Sequence, residues 1–389
     1  MFFKESNARN NKTITRILHI VSAFNMGGVK TWLIHVLRHI DSKSYQIDIL
    51  AQKPKESYAS ENEIRSLGSR LIACPRRGKP WVISRRLARV LREYGPYDVI
   101  HCNVPHYTGG LALRVAARYQ VPIRIVHSHD QRNSGVYHTR NRFVHQFYSC
   151  LRKYYTDKYA TNCLAVSKAA GKCRFGPDWE TDPRSGILHL GIDLNPFSAK
   201  FDRNAVRHEL SIPSDVTVIG HVGRFAKSKN HDFLVEVVAR ILERNSKVWV
   251  LLVGEGKHKS ATEEKARQLG ILPRTTFAGP RDDIARVMKG AMDILLFPSL
   301  GEGLGIVVTE AQAAGLPCVI SDTVPKEADI FPGLITRVGL EQSLKVWVDA
   351  VMNAISKGRG DPEKALKAVR QSPFNIENNI ERLEKIYQG

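Results

Sequence analysis

Apolar and polar positions along this chain switch between two periods. Short apolar runs are followed by stretches whose apolar residues recur every three or four positions. The first run, 17–22 (ILHIVS), leads into the loop Asn25-Met26-Gly27-Gly28. Trp32, Leu33, Val36, Leu37 and Ile40 then fall at helical spacing. Strand-like runs recur at 45–51, 98–101 and 123–127. A helical pattern through Ile83, Leu87, Val90 and Leu91 and a second over 110–119 lie between them. A further series begins after 187–192, with runs at 216–222, 248–253, 275–278, 294–297 and 317–321. Ile376, Ile380, Leu383 and Ile386 close the chain as one face of an amphipathic helix.

Strand and helix in alternation predict parallel sheets with helices on both faces. The expected class is α/β, with two similar doubly wound, Rossmann-like domains joined near 186–196, where Gly, Asp, Asn and Pro cluster. A length of 389 residues suits two or three domains. Ligands of such sheets bind beyond the carboxyl ends of the strands. The loops after Ser22, Ile100 and Val126 are therefore expected to carry function.

Composition narrows the picture. With 43% apolar and 25% charged residues, the chain is neither disordered nor fibrous. No run approaches the roughly 18–20 apolar residues of a membrane span. The polar start, MFFKESNARNNK, does not read as a secretory signal. Six cysteines lack metal-ligand spacing, so reduced thiols in a cytoplasmic protein are expected and no metal site is.

Charge is uneven. Residues 1–190 carry 31 Lys and Arg against 13 Asp and Glu, whereas residues 191–389 carry 27 against 25. The first half therefore seeks an acidic partner: an anionic membrane face, a phosphate-bearing substrate or nucleic acid. A merely soluble basic surface is the plain alternative.

Four segments carry candidate chemistry. In Ser299-Leu300-Gly301-Glu302-Gly303-Leu304-Gly305, continuing to Glu310, the glycines allow close backbone approach and the following helix start can seat a phosphate. Glu302 would stand at the cleft mouth, and Glu310, two turns on, could accept hydrogen bonds from ribose hydroxyls. A glycine-softened helix start with two surface glutamates fits the same spacing. In Gly223-Arg224-Phe225-Ala226-Lys227-Ser228-Lys229, two cations at a strand end suit a diphosphate; a solvated basic loop is the alternative. Gly27-Gly28 and Gly254-x-Gly256 are weak glycine signals, more often turns than binding loops. His127-Ser128-His129-Asp130 ends a strand, where a histidine can bond a substrate hydroxyl or accept its proton.

Taken together, these segments resemble the retaining glycosyltransferases of family 4, which have the GT-B architecture of two facing Rossmann-like domains. The resemblance is most specific over 220–322: His221-Val222-Gly223-Arg224 with Lys229, Val253-Gly254-Glu255-Gly256, Phe297-Pro298-Ser299 and the pair Glu302/Glu310 occur in the family's order. VHSHD and EAQAAGLPCVISD are similar to the subgroup that builds capsular and exopolysaccharide units.

The resemblance implies an acceptor domain over 1–190, a donor domain over 191–372 and a helix, 373–389, packing back toward the first. Arg224 and Lys229 would grip the donor diphosphate, with Gly223 and Gly254 beside it. Glu302 would hold the donor sugar, backbone N–H groups of Gly303, Leu304 and Gly305 would touch sugar or phosphate, and Glu310 would bind the ribose. Gly27 and Gly28 would let the first domain approach the phosphates. His127 would lie next to the donor sugar, with His129 as the second choice. The donor is expected to be a nucleotide sugar, a UDP-sugar by family habit, with no metal or other cofactor. The acceptor is expected to be a polyprenyl-diphosphate-linked saccharide, reached by docking the basic half, including Arg76-Arg77-Gly78-Lys79 and Arg85-Arg86, on the inner face of the cell membrane. Asn230, Leu304 and Asp130 depart from the family's usual glycine, proline and asparagine. A non-hydrolysing UDP-sugar 2-epimerase shares the architecture. Nucleic-acid binding finds no zinc-finger or RNP-like signature.

Overall fold

The computed structural model describes residues 14–22, 27–52, 58–74, 80–104, 107–130 and 142–389. Asn25, Met26 and the basic run 76–79 lie outside the described residues. Two sheets, parallel throughout, form the frame. The first contains β1 (Thr15–Val21), β2 (Tyr45–Ala51), β3 (Leu71–Ala73), β4 (Val99–Cys102), β5 (Ile123–Ser128), β6 (Asn162–Ala165) and β7 (Ser185–Ile187), in the order β3-β2-β1-β4-β5-β6-β7. The second contains β8 (Thr217–Val222), β9 (Val248–Val253), β10 (Thr275–Gly279), β11 (Ile294–Phe297), β12 (Cys318–Ser321) and β13 (Ile335–Val338), in the order β10-β9-β8-β11-β12-β13.

Both sheets share one winding. The order runs outward from the first strand, returns, and continues on the other side, so each has a switch point between its first and fourth strands. Loops leaving those two strands flank the point where such sheets take their ligands. In the second sheet they are the loops after β8 and β11, which hold Gly223 to Lys229 and Ser299 to Gly305.

The strands are buried on both faces and accordingly read as apolar runs, such as VWVLLV in β9. Helices cover them with the expected stripes. Gly28–His39 buries Trp32, Leu33, Val36 and Leu37, and Pro80–Tyr94 buries Ile83, Leu87, Val90 and Leu91. Among the described residues no helix is long and apolar enough to cross a membrane.

The last helix, Ile376–Gln388, begins after Asn375, whose side chain accepts from the Glu377 N–H. It packs on the first sheet's layer, placing Ile376, Ile380, Leu383 and Tyr387 in one apolar cluster with Trp32, Leu33 and Ile49. Two hydrogen bonds fix its register: Trp32 Nε1 donates to Asn379 Oδ1 at 2.7 Å, and Asn379 Nδ2 donates to the His189 carbonyl at 2.7 Å.

Candidate active site

The loop after β11 is built around Glu302. Its Oε1 accepts from Lys229 Nζ at 2.7 Å and from Ser299 Oγ at 2.5 Å, with both charged side chains largely buried. Lys229 also lies over the Phe297 ring, 4.7 Å from its centroid. Ser299 is anchored in turn: its carbonyl accepts from Ser321 Oγ and Thr323 Oγ1 at 2.6 and 2.7 Å. The β8 and β11 loops join directly where the Leu300 N–H donates to the Ser228 carbonyl at 2.8 Å. An acid and a base six dozen residues apart thus meet at the crevice.

Arg224 stands differently. It is exposed and its guanidinium has no ion pair or hydrogen bond with a described residue, so its positive charge is open to a ligand. Close packing of backbones supports its loop. A Cβ on Gly254 (φ +137°) would lie 2.1 Å from the Gly223 carbonyl oxygen, and one on Gly256 (φ +154°) 2.4 Å from that of Phe225. The Gly254 N–H is engaged with the Gly279 carbonyl, so Gly254 serves as a seat for the β8 loop.

Gly305 takes the left-handed conformation (φ 83°, ψ 47°) as the residue before the helix Ile306–Ala313, and no side chain caps that helix start. The Val308 N–H turns back to the Gly305 carbonyl at 2.8 Å, and those of Ile306 and Val307 before it have no bond with a described residue. Leu304 is buried in the first half's apolar cluster, so its side chain packs and only its backbone can face a ligand. Glu310 makes no hydrogen bond or ion pair with a described residue, and burial raises its carboxyl to about 7.

The first half closes over this loop. A Cβ on Gly303 would lie 1.9 Å from the His129 carbonyl oxygen, so only glycine lets the two backbones meet. Ser167 Oγ donates to the Gly303 carbonyl at 2.6 Å, and the Lys168 N–H donates to Glu327 Oε1 at 2.8 Å. Gly28 packs near Ile306, while Gly27, at φ 151°, has open space around its α-carbon. Sequence reasoning passed over Ser167, whose placement between a strand and a helix is an N-cap signal; it does cap Lys168–Phe175.

The two histidines of VHSHD have different surroundings. His127 is buried with both ring nitrogens engaged, Nε2 with the Leu188 carbonyl at 2.9 Å and Nδ1 with His101 Nε2 at 3.1 Å. Burial lowers it to about 3. His129, beside Gly303, has Nε2 bonded to Asn103 Oδ1 at 2.7 Å, and its Nδ1 has no partner. Burial, followed by the neighbouring His127, holds it well below the usual histidine value.

The second half thus presents an exposed guanidinium, a partnered lysine and a helix start without a side-chain cap, and the first half presents glycines and a histidine. Two family models match the chain, one in each half. A family model described as "Glycosyltransferase Family 4" matches residues 26–173, and one described as "Glycosyl transferases group 1" matches residues 202–369. The putative glycosyltransferase EpsF of Bacillus subtilis (strain 168) is 33% identical over 97% of this chain and 97% of its own. D-inositol 3-phosphate glycosyltransferase of Mycobacteroides abscessus is 35% identical over 48% of this chain and 43% of its own. Among solved structures, Anabaena HepE in complex with UDP-glucose superposes with a TM-score of 0.77 at 18% identity, over 96% of this chain and 99% of that one. Fold and matches together define a glycosyltransferase of the two-domain α/β class GT-B. The chain belongs to family 4 of these enzymes.

Proposed function

We propose that this chain moves a hexose or N-acetylhexosamine from a nucleotide sugar, specifically a UDP-sugar, to a polyprenyl-diphosphate-linked saccharide during surface polysaccharide assembly. The anomeric configuration is retained and no metal takes part. In the transfer the bond from the anomeric carbon to the diphosphate oxygen breaks, and a new bond forms from that carbon to an acceptor hydroxyl oxygen on the same face. The departing nucleoside diphosphate takes the electron pair of the broken bond and, with it, the proton that the acceptor hydroxyl gives up.

Charge develops on that leaving group, so fixed positive charge beside it lowers the barrier. Arg224, Lys229 and the helix start after Gly305 supply it in this reading. Glu302 holds the donor sugar and orients Lys229, while Glu310 receives the ribose hydroxyls. Gly27 and Gly28 leave room for the phosphates from the first half. Of the two histidines, His129 is the better placed to meet the donor sugar, because His127 has no free nitrogen. That HepE of the same fold holds UDP-glucose supports the choice of donor.

The observation that carries the reading is the Lys229–Glu302 pair, on the same pair of loops as an exposed Arg224 with no partner among the described residues, at the switch point of the second sheet. A thermal-shift panel of nucleotide sugars tests it. One UDP-sugar should raise the melting temperature, and acceptor-dependent release of UDP should follow. Arg224→Ala and Glu302→Ala should each reduce turnover by about 100-fold, the loss of one strong charge-stabilising contact. Turnover unchanged in both variants would refute the site; interconversion of the donor without acceptor would replace transfer by epimerisation.

A further inference from the structure

A buried polar chain lies behind the first half's face of the crevice: His19, His101, His127, His129, Asn103 and Tyr387. Its rings are neutral, because burial lowers His19 and His127 to about 3 and His101 and His129 well below their usual value. A neutral imidazole has one N–H and one lone pair, so each partner decides which nitrogen carries the proton. The hydrogen positions below are assigned from those partners.

The Leu188 carbonyl can only accept. His127 therefore donates to it from Nε2, and its Nδ1 is a lone pair. His101 donates to that lone pair from Nε2, so its own Nδ1 accepts, at 2.9 Å, from the Tyr387 hydroxyl. The Tyr387 oxygen then accepts from His19 Nε2 at 2.8 Å. His19 Nδ1 is left to accept from Asn103 Nδ2 at 3.2 Å. A second contact orients that amide independently: Asn103 Nδ2 also donates to the His101 carbonyl at 3.2 Å. The amide oxygen must then face His129, whose Nε2 donates to it at 2.7 Å. The two ends of the chain agree. Among the described residues every ring nitrogen of the chain is matched except one, the His129 Nδ1 lone pair, which is buried without a partner.

We propose that this chain presets His129 as a hydrogen-bond acceptor for a hydroxyl of the donor sugar. Asn103 is the positioning residue, and Tyr387 closes the chain from the C-terminal helix. The proposal rests on the nucleotide-sugar reading above and adds the polarity of one contact. A sugar hydroxyl would partner the one ring nitrogen of the chain that no described residue engages. The opposite tautomer would present an N–H and demand that the sugar accept instead. His129 is also the residue whose carbonyl touches Gly303, so the preset ring adjoins the donor loop.

Nitrogen-15 spectra of the full chain with labelled histidine test the proposal. His129 is assigned by loss of its signals in His129→Gln. Ligand-free protein should show His129 protonated at Nε2 and bare at Nδ1. Asn103→Leu should release both tautomers and weaken the UDP-sugar at least fivefold. Its affinity for UDP, which lacks the sugar, should stay within twofold. A wild-type His129 protonated at Nδ1 would overturn the proposal, as would equal weakening of UDP and UDP-sugar, or none. Should Asn103→Leu fail to fold, the wild-type spectrum decides. The Nδ1 signal must move on adding the UDP-sugar and not on adding UDP, and an unmoved signal overturns the proposal. A chain that binds no nucleotide sugar would instead overturn the underlying reading, with the ligand-free tautomer still as assigned.

Discussion

At the residue scale, the crevice sets unlike environments on chemically like groups. Glu302 and Glu310 are both carboxylates on one loop and helix, yet Glu302 has Lys229 and Ser299 on its oxygens, whereas Glu310 has neither a cation nor a donor from a described residue. Burial alone governs Glu310, and it holds its proton up to about pH 7. If Glu310 receives the ribose, its ionised form is the better acceptor. Donor affinity should then rise by roughly fivefold between pH 6 and 8, as this carboxyl passes through its raised value. Titration calorimetry with the UDP-sugar, whose diester phosphates do not titrate there, checks this, and Glu310→Gln should flatten the profile. The sequence singled out Arg224, Lys229, Glu302 and Glu310 through the family resemblance, since their spacing alone also fitted plain loops, and folding brings Lys229 to Glu302. It did not separate His127 from His129. That distinction depends on the Leu188 carbonyl and on Asn103, which reach the rings only through sheet pairing.

At the element scale, the long apolar strands and striped helices were readable, and four short strands were not. β3, β6, β7 and β13 have three or four residues each, too few to display alternation. Tertiary pairing makes them strands: β6 lies against both β5 and β7. The final helix was legible as amphipathic, but the surface it covers was not, because that surface is assembled from distant stretches, Trp32 and Leu33 in one and His189 to Ile192 in another. Leu383 is fully buried in that contact. Leu383→Ala should cost about 2–5 kcal/mol of stability, seen as a lower denaturant midpoint. An unchanged midpoint would mean that the helix is not part of the folded unit.

At the scale of the whole molecule, two charge patterns set solution behaviour. The buried rings near 3, His19 and His127, bind protons only when unfolded between that value and about 6.5. Stability is therefore fully present above pH 6.5 and falls as the solution is acidified. Each such ring contributes a slope approaching ~1.4 kcal/mol per pH unit. Urea midpoints measured from pH 7 down to pH 4.5 should drop steeply; a flat series would mean that the rings are protonated in the fold. The second pattern is the basic half. On the helix Pro80–Tyr94, Arg85, Arg86, Arg89 and Arg92 are exposed with Trp81, opposite the buried Ile83 and Leu87. Each such cation near an anionic leaflet is worth about 1 kcal/mol. Vesicles rich in phosphatidylglycerol should sediment the protein at physiological salt, and Arg85→Glu with Arg89→Glu should weaken this at least tenfold. Equal sedimentation with neutral vesicles would exclude charge-driven docking.

The docking of helix Ile376–Gln388 against Trp32 and Leu33 also has a consequence in time. A ribosome makes the chain from the amino end, so the first lobe leaves the exit tunnel long before the segment that seals it is translated. Throughout the synthesis of the second lobe, the indole of Trp32 lacks its Asn379 acceptor and a greasy seam stays open to water. The earlier lobe therefore waits with that seam uncovered until the helix has emerged, and only then can the two lobes be stitched together.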